Sequence, residues 1–238
     1  MEVLGAKPPE LGKWLWDYDA RELAEAERVD TSPYARVSRR GFSGTLYKTD
    51  AFLAAHPFGT VPAAFGPGGT VGIFESNSIL RAAARAGDQQ MGLYGRDAYA
   101  ASRVDSFLDA GLVFAREAQV YLLGMDDIQP PVYQRMAAAY EFFLNGIEST
   151  LQQSAYLVGD ELTIADISFV CDFAQFLREG HYQKQLAAAG LTAIAANGLQ
   201  DYPKAFAHML ALNARPEFAK HMGTYLDWFR RQHNLEVA

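Results

Sequence analysis

The stretch Val61-Pro62-Ala63-Ala64-Phe65-Gly66-Pro67-Gly68-Gly69-Thr70-Val71-Gly72-Ile73-Phe74-Glu75-Ser76-Asn77 carries the strongest structural signal in the chain. Val61 to Phe65 is a short apolar run with strand character, and Thr70 to Phe74 is another. Between them, Gly66-Pro67-Gly68-Gly69 supplies positive φ and fixed φ and breaks any ladder. The pair is therefore predicted as a hairpin with a loop of about four residues. Glu75 and Ser76 follow at once, and the Ala, Leu and Arg residues of 77–86 predict a helix. The first-turn N–H groups of a helix have no partner inside it, and the dipole there favours negative charge. The layout suits an anionic ligand; the plainer alternative is an ordinary helix cap with no ligand.

Composition narrows the class. At 238 residues the chain allows one large or two small domains, with roughly 70% of its unfolded surface buried. Half the residues are hydrophobic and 13% aromatic, which excludes a disordered chain. No apolar run approaches a membrane span, and the first residues lack a signal-peptide pattern, so a soluble, cytoplasmic protein is expected. The single cysteine, Cys171, rules out a disulfide framework within the chain and a cysteine-based metal site. The five histidines show no metal-ligand spacing, so no metal is expected. A net charge of −7 argues against nucleic acid as the main partner.

Outward from the hairpin, Glu2 to Gly5 reads as a first strand, Leu11 to Glu27 as a helix, and Tyr34 to Ser38 as a second strand. Gly41 to Thr45 reads as irregular, and Thr49 or Asp50 is placed to cap a short helix ending before His56-Pro57. The order is βαβ-α-ββα, that of a thioredoxin-like half with a mixed sheet. The pattern breaks between Gly87 and Gly95, and everything after it has helical period. Ala98 to Leu123 is long and amphipathic, and Pro130 opens a helix to about Gln153. Thr163 and Asp166 have the three-residue spacing of a capping box, flanked by Leu162 and Ile167 as a hydrophobic staple. Pro203 and Pro216 open two last helices.

Taken together, His56-Pro57-Phe58-Gly59-Thr60-Val61-Pro62 and Phe74-Glu75-Ser76-Asn77-Ser78-Ile79-Leu80 resemble the glutathione-binding half of a glutathione transferase. The capped helix at Thr163 is similar to one in the all-helical second domain of that family. The resemblance covers nearly the whole chain. It implies a glutathione transferase fold, with a thioredoxin-like α/β domain over 1–87 and an all-α domain over 97–238. In detail the chain resembles the transferase-like domain at the start of the gamma subunit of translation elongation factor one. The similar pieces are Phe74 to Ile79, Leu93-Tyr94-Gly95 and Arg215-Pro216-Glu217-Phe218. It is expected to lack that family's large C-terminal domain, and 181–200 departs from the pattern.

The resemblance implies glutathione as co-substrate. It makes Val61–Pro62 a cis peptide, with Val61 pairing through its main chain with the cysteinyl unit. Glu75 and Ser76 would grip the γ-glutamyl amine and carboxylate. Lys48 is spaced like the basic residues that hold the glycine carboxylate, against a solvated surface lysine as the bland reading. Thr60 stands where a longer polar residue commonly touches the ligand. A transferase must also ionise the thiol, and a pKa near 8.5 leaves only a few per cent thiolate at pH 7. The loop Ala6-Lys7-Pro8-Pro9-Glu10-Leu11-Gly12, where a hydroxyl or thiol usually sits, has neither. Three sources remain: Lys7, backbone N–H groups at the first helix, or a hydroxyl from elsewhere. Trp14, Ser106 and Phe114 are candidates for a hydrophobic electrophile pocket, although core packing is the common role of such residues. Cys171 reads as a small buried hydrophobe. The family also implies a homodimer. Two functions stay open: a transferase acting on a hydrophobic electrophile, or a non-catalytic interaction module like the elongation-factor domain.

Overall fold

The computed structural model describes residues 2–4, 26, 29, 31–33, 35–37, 45–47, 50–65, 72–222 and 225–235. Lys7, Trp14, Lys48, the turn at 66–69 and nearly all of the helix expected over 11–27 lie outside the described residues. The chain divides into two compact units, Met1–Asp88 and Gln89–Ala238.

In the first unit the strands are β1 (Glu2–Leu4), β2 (Ala35–Val37), β3 (Thr45–Tyr47), β4 (Ala63–Phe65) and β5 (Gly72–Phe74). They are joined by helices α1 (Asp50–Ala55) and α2 (Ser76–Ala86). The hairpin forms as expected: β4 and β5 pair antiparallel, with Ala63 opposite Phe74 and Phe65 opposite Gly72. β1 adds to the other side of β4, also antiparallel. β2 departs from expectation. It pairs with β3, a strand not expected from the sequence that begins at Thr45, the last residue of the stretch read as irregular, and among the described residues every strand pair is antiparallel. Thr45-Leu46-Tyr47 is too short to show alternation, and only its partner reveals it. Phe52, Ala55, Ala63 and Phe65 are buried together beneath the sheet. Fully burying a phenylalanine contributes about 1.5–3 kcal/mol. Gly72 allows the close approach that completes this layer, because a Cβ there would lie 3.0 Å from the Ala55 carbonyl oxygen.

The second unit is built on α3 (Ala98–Leu123), α4 (Pro130–Leu151) and α5 (Ile164–Phe176), with α6 (Gln183–Ala188), α7 (Gly198–Asp201), α8 (Pro203–Asn213), α9 (Pro216–Met222) and α10 (Asp227–Gln232) after them. α3 packs on α4 and α5, and α8 covers both α4 and α5. Their shared core is aromatic. Phe114 stacks on Phe143 at 4.8 Å between centroids, Phe169 stacks on Phe173 at 5.4 Å, and Phe206 meets Phe173 edge-on at 4.9 Å.

Caps decide where the helices start. Asp97 caps α3 by accepting from Ala100 N–H at 2.8 Å. The capping box at α5 is complete. Asp166, wholly buried, accepts from Thr163 N–H at 2.9 Å and Thr163 Oγ1 at 3.0 Å, and its other oxygen accepts from Leu157 N–H at 2.9 Å. The same oxygen pairs with His208 Nε2 at 2.9 Å. Glu148 of α4 reaches the start of α8 and accepts from Lys204 and Ala205 N–H. The segment over 181–200 continues α5 as a tight turn through Tyr182 and then returns through α6 and α7. Its anchor is Glu179. This buried carboxylate accepts from Tyr121 Oη at 2.7 Å, Ile194 N–H at 2.8 Å and Ala195 N–H at 3.1 Å. Residues 225–226 form a turn, so Pro216 opens α9 alone and α10 starts separately at Asp227.

Candidate functional site

The antiparallel register of β4 and β5 determines what lies at one end of the sheet. Ala63 faces Phe74, so Val61–Pro62 enters and Glu75-Ser76 leaves at the same end. The Val61–Pro62 peptide is cis, as the resemblance implied. Glu75 has φ 66° and ψ 128°, in the left-handed range that a non-glycine residue rarely adopts. That turn swings the chain from strand into α2 within one residue. Glu75 serves as the N-cap without a side-chain bond to the first turn. Ser76 begins the eleven-residue α2, and Thr60, Val61, Glu75 and Ser76 are all exposed. The site therefore offers main-chain groups of the loop at 60–62, a carboxylate, a hydroxyl, and a helix N-terminus with its inward dipole.

The loop is held from below. His56 is fully buried at the end of α1, with Nε2 hydrogen-bonded to Thr60 Oγ1 at 3.3 Å. Its ring stacks on Phe74 at 4.9 Å, and the exposed Phe58 meets the same Phe74 ring edge-on at 5.1 Å. Gly59, at φ 56°, makes the turn between them, its N–H donating to the His56 carbonyl.

The remaining candidates separate. Ser106 is exposed on α3, and its hydroxyl donates to the Ser102 carbonyl at 2.9 Å. Phe114 is a correction: it is 1% exposed, stacked on Phe143 and edge-on to Phe176, so it is core of the helical unit. Some apolar residues of this helix, Leu112, Val113 and Val120, are exposed, so apolar character alone does not tell core from surface. Cys171 also departs from expectation, being exposed on α5. Its thiol lies 3.8 Å from Met222 Sδ, and desolvation, with the neighbouring Asp172 carboxylate second, pushes it up to about 11. It is a poor nucleophile at neutral pH. Burial likewise pushes the Asp172 carboxyl up to about 6, opposed by the Ser168 hydroxyl that donates to it. Among the described residues no cluster of His, Cys, Asp or Glu is placed to hold a metal ion. No described helix is long and apolar enough to cross a membrane.

Residues 134–224 match the model of the glutathione S-transferase C-terminal domain. A glutathione S-transferase-like protein of Fusarium, LUC7, is 33% identical over 126 residues, 51% of this chain and 57% of its own length. The chain is thus similar to glutathione S-transferases, through the family model over part of its helical unit and through the curated relative over about half its length. A probable elongation factor 1-gamma 1 of Arabidopsis thaliana is 30% identical over 134 residues, covering 54% of this chain and 31% of that protein. The matches thus span less than two thirds of these curated relatives. Among solved structures, Ure2p5 of Phanerochaete chrysosporium, cocrystallised with 1-(S-glutathionyl)-2,4-dinitrobenzene, superposes with TM-score 0.58 at 21% identity, over 79% of this chain and 86% of that one. A glutathione transferase of Methylobacillus flagellatus with glutathione bound gives TM-score 0.58 at 18% identity, over 71% and 78%. These likenesses establish the fold of the superfamily: a thioredoxin-like α/β half followed by an all-helical half.

Proposed function

We propose that this chain binds glutathione in its first unit and conjugates it to, or uses it to cleave, a small hydrophobic electrophile. The observation that carries the reading is the exposed Glu75-Ser76 pair. A left-handed residue presents a hydroxyl and a helix N-terminus at the sheet end where the loop over 60–62 enters. Ser76 and the first-turn N–H groups take the γ-glutamyl carboxylate, and Glu75 takes the amine. The Val61 main chain, beside Pro62, pairs with the cysteinyl unit, Thr60 makes a short or water-mediated contact, and Lys48 holds the glycine carboxylate. The glutathionyl conjugate and the glutathione carried by two similar solved structures support this ligand.

Catalysis needs about 2.7 kcal/mol of selective thiolate stabilisation to lower the thiol pKa by two units. With no hydroxyl or thiol in residues 6–12, backbone N–H groups near Pro9 to Gly12, helped by Lys7, supply it. Phe114 is left out of the electrophile pocket because it is core. Residues 1–87 form the glutathione-binding domain and 97–238 the helical domain of a cytoplasmic homodimer. The 69% exposure of Phe58, a large aromatic on a short loop, supports a partner subunit covering it.

One observation favours a second reading, a non-catalytic module that docks a protein partner. The elongation-factor relatives match as widely as the transferase-like ones, and the usual activating side chain is missing. The ultraviolet absorbance of bound glutathione thiolate across pH separates the two. An apparent thiol pKa below about 7 supports catalysis, and a value near that of free thiol leaves a site that binds without activating.

A further inference from the structure

His56 is a buried side chain that touches both segments of the site. Its Nε2 hydrogen-bonds to Thr60 Oγ1 at 3.3 Å, one residue ahead of Val61. Its ring lies on Phe74, with centroids 4.9 Å apart and planes 17° apart, one residue ahead of Glu75. Phe52 closes in from a third direction at 5.5 Å. Few side chains combine a flat stacking ring with a hydrogen-bonding rim; phenylalanine supplies the first only. Residues 59–62 lie beyond the last strand pair, Ala63 with Phe74, so the ladder does not set their position. The imidazole does so from below, through one bond and one stack.

We infer that His56 is a positioning residue, holding the segments 60–62 and 74–76 in the mutual register that glutathione requires. It touches no ligand and acts through Thr60 and Phe74; the inference rests on the glutathione reading above. A histidine that only filled space would affect stability and leave the affinity of the folded protein alone.

The test uses the full chain as wild type, His56→Phe, His56→Leu, Thr60→Val and the double variant His56→Phe with Thr60→Val. Glutathione titration calorimetry, thermal unfolding and hydrogen exchange are measured on each. His56→Phe keeps the stack and loses the bond. It is expected to stay folded, to bind glutathione about fivefold more weakly, and to exchange faster at the amides of Gly59 to Val61 but not at 74–76. In the Thr60→Val background it is expected to add nothing. His56→Leu, which loses both contacts, is expected to speed exchange at both segments. If His56→Phe fails to fold, His56→Gln carries the test: it keeps a hydrogen-bonding group toward Thr60 and loses the ring, so faster exchange at 74–76 alone is expected and unchanged exchange there overturns the inference. Wild-type affinity and unchanged exchange in His56→Phe overturn the inference while the binding reading stands. No glutathione binding by the wild type overturns the binding reading and this inference with it.

Discussion

Replacing Asp166 by alanine tests how the helical unit is held together. The carboxylate is wholly buried and serves four donors: Leu157 N–H, Thr163 N–H, the Thr163 hydroxyl and His208 Nε2. The hydroxyl can rotate to another acceptor, but the two backbone N–H groups and the imidazole cannot move without shifting chain. A buried donor left without its acceptor costs about 1–3 kcal/mol. Asp166→Ala is therefore expected to cost on the order of 4–6 kcal/mol, a large share of the 5–15 kcal/mol typical of a folded protein. Asp166→Asn retains one acceptor oxygen and sets an NH₂ group against Leu157 N–H, which calls for an intermediate loss of about 2–3 kcal/mol. Thr163→Ala, which removes only the cap hydroxyl, should cost about 1 kcal/mol. Urea unfolding followed by helical circular dichroism reads all three. An Asp166→Ala variant within 1 kcal/mol of wild type, at unchanged denaturant slope, refutes the reasoning.

Asp172 gives a pH-dependent test. Its folded pKa is raised to about 6 by desolvation, so the folded chain keeps a proton that the unfolded chain releases. Stability from this group is present below the unfolded value near 4 and is lost as pH rises through 6, by up to about 2–3 kcal/mol. Asp172→Asn should raise the melting midpoint at pH 7.5 and leave it unchanged near pH 4; equal effects at both would contradict this. Gly95 sits at φ 85°, and a Cβ there would lie 2.6 Å from Ala101 N. Gly95→Ala should cost about 2 kcal/mol or more in the same urea assay. The Cys171 thiol, raised to about 11, should react with a disulfide reagent at pH 7.5 on the order of a hundredfold more slowly than free cysteine.

Much of the fold is written in local signals. Gly66-Pro67-Gly68-Gly69 sits between two apolar runs that pair as β4 and β5, and Thr163 with Asp166 marks the start of α5. Pro130, Pro203 and Pro216 each open a helix where proline is tolerated, in the first turn. What the sequence hides depends on distant partners. Glu179 looks like a solvated residue in Leu177-Arg178-Glu179-Gly180, yet it is buried because Tyr121, 58 residues away, and the backbone at 194–195 surround it. β3 is visible only through its pairing with β2. The break before α10 carries no proline, so its position could not be read from the chain. In the site, the left-handed turn at Glu75 has no compositional mark, because a glutamate there looks like any helix-start carboxylate. His56 stands in the motif that carries the resemblance, but its contacts with Thr60 and Phe74 depend on the fold and not on its place in the sequence.

The central claim is that the end of the sheet beside Ser76 is a glutathione site. Titration calorimetry of the full chain with glutathione, repeated on Ser76→Ala, tests it directly. The account expects saturable binding at millimolar concentration or below. Loss of one hydrogen bond to a charged group costs about 1.5–3 kcal/mol, so the variant should bind roughly tenfold or more weakly, with its melting midpoint unchanged. Saturable binding that Ser76→Ala leaves untouched would contradict the site, and no binding heat at millimolar glutathione would contradict the ligand.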